Sequence, residues 1–262
     1  MTRGGLARVL PDSWRSTEKA EGEVTLGGVD LCALAADVGT PAFVVDEAHL
    51  LARLAAFREA FGERFGDCCT CVYAGKAFLC GALVVDLITA GWWVDVVSTG
   101  ELEIATRAGM PAARMLMHGN AKPRAELAEA VARGVGRIVV DHPGEIEVLS
   151  RVSADAGRDV AILVRLNADV AAVTHEKVKT TGDRAQFGMD AQTASEAVSA
   201  AFRAPGVKLA GVHIHVGSQI RDLETFRRAA EEAVAFVEPH RDRFGDRVDL
   251  DLGGPGGRLP PG

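Results

Sequence analysis

The sequence predicts an α/β chain in which parallel strands and helices alternate to build a (β/α) barrel. Short, largely β-branched runs recur every twenty-odd residues from Cys71 onward, each followed by an amphipathic stretch, which is the rhythm of strand, turn and helix. The stretches between the runs carry helix-end signals. The first run leads into Gly75-Lys76-Ala77-Phe78, where an open doubly wound sheet would place a glycine-rich turn. A single barrel of roughly 250 residues would use most of the 262 present.

Residues 22–31 alternate about Gly27-Gly28 and predict a small hairpin, followed by a short helix from Leu31 to Ala36. After Thr40-Pro41 the first β-branched run is Phe43-Val44-Val45-Asp46. The helix that follows places Leu50, Leu54, Phe57 and Phe61 on one face. Seven strands are then expected, at Cys71–Ala74, Val94–Ser98, Arg114–His118, Arg137–Asp141, Val160–Leu166, Lys208–Val216 and Val248–Leu252. Between them, Ser98-x-x-Glu101 reads as a capping box, Pro123 suits a first helical turn, Gly134 suits a C-terminal cap, and Asp190 and Asp222 suit N-caps. Residues 167–189 lack helical periodicity and follow the fifth strand, so they predict a long functional loop.

Composition narrows the function classes. Hydrophobic residues make up 48% and charged residues 25%, which describes a compact chain with a large core. The net charge of −7, with no basic block, argues against a nucleic-acid or anionic-membrane surface. No apolar run approaches the ~20 residues of a membrane span, and the opening residues lack a signal-peptide core, so the expected location is the cytoplasm. Cys68, Cys69 and Cys71 crowd one strand-like stretch with no second pair, and read as reduced, half-buried thiols.

In a barrel, chemistry sits at the carboxyl ends of the strands. Those ends carry Lys76, Asp95 with Ser98, His118 with Asn120, Asp141, Arg165 with Asn167, His215 with Ser218, and Asp251 with Gly253-Gly254. Lys76 has small and apolar neighbours, which suggests a dry pocket and a nucleophilic amine. His213 and His215 share one face of a strand, so zinc is a candidate, although no third ligand is evident. A ring partner at His215, a hydroxyl at Ser218 and a glycine turn at Gly253-Gly254 fit an amine-reactive, phosphate-bearing cofactor better. Pyridoxal 5'-phosphate is the economical choice, and no metal is expected.

Several motifs occur in series: Tyr73-Ala-Gly-Lys-Ala-Phe-Leu79, Asp95-Val-Val-Ser-Thr-Gly-Glu-Leu102, His118-Gly-Asn-Ala-Lys122, Val164-Arg-Leu-Asn167, Phe187-Gly188, His213-Ile-His-Val-Gly-Ser-Gln219 and Leu250-Asp-Leu-Gly-Gly254. Together they resemble the fold-type III pyridoxal-phosphate decarboxylases, and among them the diaminopimelate decarboxylase family. The resemblance implies a (β/α)8 barrel of the alanine racemase-like kind. It implies that Lys76 forms the Schiff base, that His215 stacks on the pyridine ring, and that Ser218, Gly253 and Gly254 hold the phosphate. Asp95 and Arg165 would lie near the ring and the lysine, while His118, Asn120 and Lys122 would line the substrate pocket. The implied reaction converts meso-diaminopimelate to L-lysine, with active sites shared across a homodimer. His213 reads as a strand-packing residue.

The resemblance also implies parts with no counterpart in these 262 residues: an eighth strand ending in Glu-Pro-Gly-Arg and a C-terminal β domain. The expected organisation is therefore a hairpin segment (1–40) that would pack on the absent domain, a seven-stranded barrel portion (41–254) and an irregular tail (255–262), a C-terminally truncated chain of doubtful activity. Pro255 stands where the family has a third glycine and offers no N–H. Two alternatives remain at this level: a non-catalytic pyridoxal-phosphate-binding barrel, and a decarboxylase of another basic amino acid of the ornithine or arginine type.

Overall fold

The computed structural model describes residues 13–16, 24–167, 187–217 and 223–253. Ser218, Asp222, Gly254, the tail and most of the 167–189 loop lie outside the described residues. The chain falls into two compact units, one before Val72 and one beginning there.

In the first unit, β1 (Arg15–Ser16), β2 (Val24–Leu26) and β3 (Val29–Asp30) form an antiparallel sheet. Gly27 and Gly28 make the expected two-residue turn, both at positive φ (59° and 83°), as a turn matched to strand twist requires. Asp30 caps α1 (Leu31–Val38) through the Cys32 and Ala33 amides. Residues 42–46, the run expected to open the strand series, form no strand, and Phe43 is 93% exposed. Asp46 instead caps α2 (Glu47–Phe65), accepting the His49 amide at 3.0 Å and the Ser13 hydroxyl. Of the face predicted on α2, only Leu54 is buried; Phe57 and Phe61 stack on each other at 6.5 Å and remain about two-fifths exposed.

The second unit is the barrel portion. Its strands are β4 (Val72–Ala74), β5 (Trp93–Val96), β6 (Met115–Met117), β7 (Arg137–Val140), β8 (Val160–Leu166), β9 (Val207–His215) and β10 (Asp249–Gly253). All pair in parallel, in chain order, with β4 and β10 at the edges. The intervening helices are α3 (Gly81–Thr89), α4 (Thr99–Arg107), α5 (Arg124–Arg133), α6 (Gly144–Ala156), α7 (Ala191–Arg203) and α8 (Leu223–Val237). Strand-helix alternation with one strand step per repeat gives this topology.

Local signals set the helix ends. Ser98 accepts the Glu101 amide at 3.2 Å, while the Glu101 carboxylate reaches back to Val97 N, one residue short of the expected capping box. Pro123 is the N-cap of α5, Gly134 ends it in the left-handed conformation (φ 77°), and Asp190 caps α7 through Thr193 N.

The sheet is rolled. Neighbouring strands lie ~4.8 Å apart, so β6 and β10, four steps away, would be separated by roughly 19 Å if the sheet were flat. Yet His118, directly after β6, brings Nε2 within 3.7 Å of Asp251 Oδ2 on β10. At the opposite end, Arg137 of β7 reaches Asp249 of β10 at 2.8 Å. Between these polar layers Leu116, Val139 and Leu163 form an apolar plug, flanked by Val72, Trp93 and Ala210. Successive side chains alternate across a strand. Two steps beyond the plug residues, His118, Asp141 and Arg165 therefore share the same side of the sheet at the carboxyl ends.

Candidate active site

Lys76 follows β4 in a single 3-10 turn, Gly75–Ala77. Gly75 is required there: a Cβ would stand 2.5 Å from the Asp95 carbonyl oxygen, because β4 and β5 run side by side into the turn. Its amide donates to Asp95 Oδ1 at 3.3 Å, tying the lysine turn to the neighbouring carboxylate. The dry pocket expected for Lys76 is not what forms. The residue is exposed, in the turn that follows β4, an edge of the described sheet. Its charge still reaches across the mouth, acting on both Asp95 and His215.

Asp95 is pushed up to about 6, because burial outweighs the pull of Lys76 and the Asp251 charge adds to it. His215 ends β9 and is pushed down to about 3 by burial, then by the positive charges of Lys76 and Arg165. It is therefore a neutral, half-buried ring at physiological pH. His118 is likewise neutral, lowered to about 3 by burial and by its neighbour His213.

Asp251 organises these rings. It accepts from His213 Nδ1 at 2.8 Å and faces His118 at 3.7 Å, and despite its burial these partners hold its carboxyl down at about 2. The His118 ring meets His213 edge-on at 4.8 Å. His213, read from sequence as a packing residue, is 2% exposed and hydrogen-bonded into this cluster. Its partnership with Asp251 is what the His-x-His pattern alone left open.

Register explains the pairing. Asp251 lies opposite His213 and Gly253 opposite His215 on adjacent strands. A Cβ on Gly253 would meet His213 Cε1 at 2.5 Å and His215 Nδ1 at 3.4 Å. The glycine is thus required by the His213 imidazole as well as suited to an anion. Val216 N donates to the Gly253 carbonyl at 2.8 Å, and Gly217 follows at φ 131°, so two glycine-bearing strand ends lie together.

Arg165 does not pair with Asp95. It binds Asp141 Oδ1 at 2.7 Å, both side chains nearly buried, and its guanidinium lies 5.4 Å from the Phe187 ring centroid. Asn120 is exposed at the loop after β6. Lys122 departs from the pocket-lining expectation: its side chain is 1% exposed, and it binds Gly119 O (2.6 Å), Val139 O (2.8 Å) and Glu145 (3.0 Å). Three partners use all three donors of an ammonium. Glu145 is the participant that the sequence does not single out, while Asp141 and Asp251 are placed by it at strand ends without a role. The even spacing of Asp249, Asp251 and Gly253 on one strand was the available signal for Asp251.

This is the mouth of a rolled parallel sheet carrying an accessible amine, a neutral ring and glycine strand ends, and the chain belongs to the pyridoxal-dependent decarboxylases, whose pyridoxal-binding domain matches residues 47–257. More particularly, it is similar to diaminopimelate decarboxylases. That of Actinosynnema pretiosum is 41% identical over 241 residues, 91% of this chain and 52% of the relative. That of Mycobacterium tuberculosis is 37% identical over 258 residues, 95% of this chain and 57% of the relative. Among solved structures, the M. jannaschii diaminopimelate decarboxylase in co-complex with L-lysine superposes with a TM-score of 0.80 at 28% identity, covering 93% of this chain and 57% of that one. The chain thus spans little more than half the length of these relatives. Among the described residues, no helix is long and apolar enough to cross a membrane.

Proposed function

We propose that this chain binds pyridoxal 5'-phosphate covalently through Lys76 and carries the cofactor-binding part of a decarboxylase that converts meso-diaminopimelate to L-lysine. The observation that carries the proposal is the convergence of an exposed lysine, a neutral His215 and glycine strand ends on one barrel mouth. The residues fit the group. Gly253 ends β10 opposite His215 with no side chain of its own, and His215 offers an uncharged face for an aromatic ring. The relatives supply the substrate reading.

In this arrangement Lys76 would hold the cofactor through its amine, and Asp95, adjacent on β5, would provide a counter-charge beside it. Gly217 and Gly253, with Ser218 and Gly254 of the same motifs, would hold the phosphate. The Asp141–Arg165 pair fixes a cation beside the imidazoles without placing net charge there. When bound, the cofactor supplies an electron sink for the carbanion left as carbon dioxide departs. The products are carbon dioxide and an amine that has taken up one proton.

A second reading, cofactor binding without turnover, is favoured by the exposure of Lys76, because water at the mouth competes with a buried reaction centre. Incubating the cofactor-loaded chain with meso-diaminopimelate separates the two. Release of lysine and carbon dioxide in equal amounts supports the decarboxylase reading. A loaded chain that releases neither supports the binder, and release of another diamine from ornithine or arginine instead overturns the substrate assignment.

A further inference from the structure

We propose that Lys122 is a positioning residue of this site: its buried ammonium clamps the strained loop His118–Lys122 onto β7 and thereby keeps the His118 imidazole on Asp251. The inference takes its purpose from the cofactor-site reading above, while its geometry stands on the loop itself.

The loop is strained in a way that needs a clamp. Gly119 sits at φ 102° and Ala121 at φ 52°, the one non-glycine residue at positive φ among the described residues. Alanine has no side chain to hydrogen-bond locally in that conformation, and such strain persists only where surrounding contacts over-determine it. Pro123 follows Lys122 and pushes it away from helical dihedrals, so the chain must turn within Gly119–Ala121. Lys122 then folds back into the protein. It donates to Gly119 O at 2.6 Å within the loop, and to Val139 O at 2.8 Å on the next strand.

The third partner spreads the effect. Glu145 Oε2, at the start of α6, lies 3.0 Å from the ammonium and accepts the Asp141 amide at 3.0 Å. Among the described residues, Glu145 Oε1 is buried with no hydrogen-bond partner. A half-satisfied buried carboxylate is retained where a fixed cation compensates it. Asp141, whose backbone is held this way, carries Arg165 on its side chain. One ammonium therefore sets the ends of β6, β7 and β8 together, and none of its donors is left for a substrate.

The reporter is His118. Asp251 faces it from β10, His213 from β9 and Arg165 from β8, with Lys122 on its own loop. Its ring is kept neutral mainly by burial, so release of the loop returns it to solvent and raises its titration toward 6.5.

The test compares wild type with Lys122→Met, following the His118 Cε1–H resonance against pH in the cofactor-free chain, and the dissociation constant of pyridoxal phosphate by absorbance. The expected result is a His118 midpoint that climbs by about two units or more, with cofactor affinity weakened by about tenfold or more. Ala121→Gly added to Lys122→Met relieves the strain and recovers part of both. If Lys122→Met does not fold, Lys122→Met with Glu145→Gln removes the stranded charge and carries the same comparison. An unmoved His118 midpoint in a folded variant overturns the inference, as does a loss of affinity that Ala121→Gly fails to rescue. A wild-type chain that binds no pyridoxal phosphate refutes the cofactor reading instead, and leaves the His118 comparison to decide the role of Lys122.

Discussion

Replacing Asp95 with asparagine should stabilise the cofactor-free protein at neutral pH. The carboxyl titrates at about 6 in the folded chain, against 3.8 for the free group, because burial and Asp251 outweigh Lys76. A raised native pKa means that the unfolded chain gives up its proton first. The stability contribution of this group is therefore complete below pH 3.8 and is lost as pH rises through 6. About two units at 1.36 kcal/mol each gives roughly 3 kcal/mol as an upper limit, which solvent at the half-buried group reduces. Asparagine keeps an oxygen for the Gly75 amide and discards the charge. Urea unfolding followed by tryptophan fluorescence is suited to the question, since Trp93 begins the same strand. The expected shift at pH 7 is about 1 M in midpoint, shrinking toward zero at pH 4. A variant no more stable than wild type at pH 7, or equally favoured at both pH values, would refute the reasoning. The stability that Asp95 forgoes is an argument for its function, because strongly perturbed carboxylates concentrate at functional sites.

Three further outcomes are expected. Gly253→Ala should drive a methyl group into the His213 ring, costing ~1–3 kcal/mol by overpacking and weakening pyridoxal-phosphate binding, read by the same unfolding and absorbance titrations. Asp141→Ala should cost about 3–5 kcal/mol by stranding the buried Arg165, and Asp141→Asn less; thermal melting distinguishes them. His118 and His215, both lowered to about 3, should destabilise the fold as pH falls below 6.5, opposite in sign to Asp95. Their NMR resonances should stay flat from pH 8 to about 5.

Much of the barrel portion was legible because strand and helix announce themselves by periodicity and by caps. Val160–Leu166 is a strand at the bounds read from sequence, and Gly134 and Asp190 cap as their residue types predict. Burial across elements was not legible. Phe57 and Phe61 share a helix face by spacing, yet spacing cannot say whether another surface covers them. Lys76 was expected in a dry pocket because its sequence neighbours are apolar, whereas exposure is set by its place on an edge strand. Lys122 shows the reverse. A lysine in a polar loop reads as solvated or substrate-facing, but the positive φ of Gly119 and Ala121 turns it inward toward Val139 and Glu145, residues 17 and 23 positions further along. Asp251 was placed at a strand end without a partner because His213 is 38 residues away in sequence and opposite it only once β9 and β10 pair.

The central claim is that this barrel mouth binds pyridoxal phosphate through Lys76. Its most direct test is to incubate the purified chain with pyridoxal phosphate, reduce with borohydride, digest, and locate the modified peptide by mass spectrometry beside Lys76→Ala. The account predicts stoichiometric modification of the peptide bearing Lys76, accompanied by a visible absorbance band, both absent from the variant. A folded chain modified equally in both proteins, or at scattered surface lysines, would contradict it.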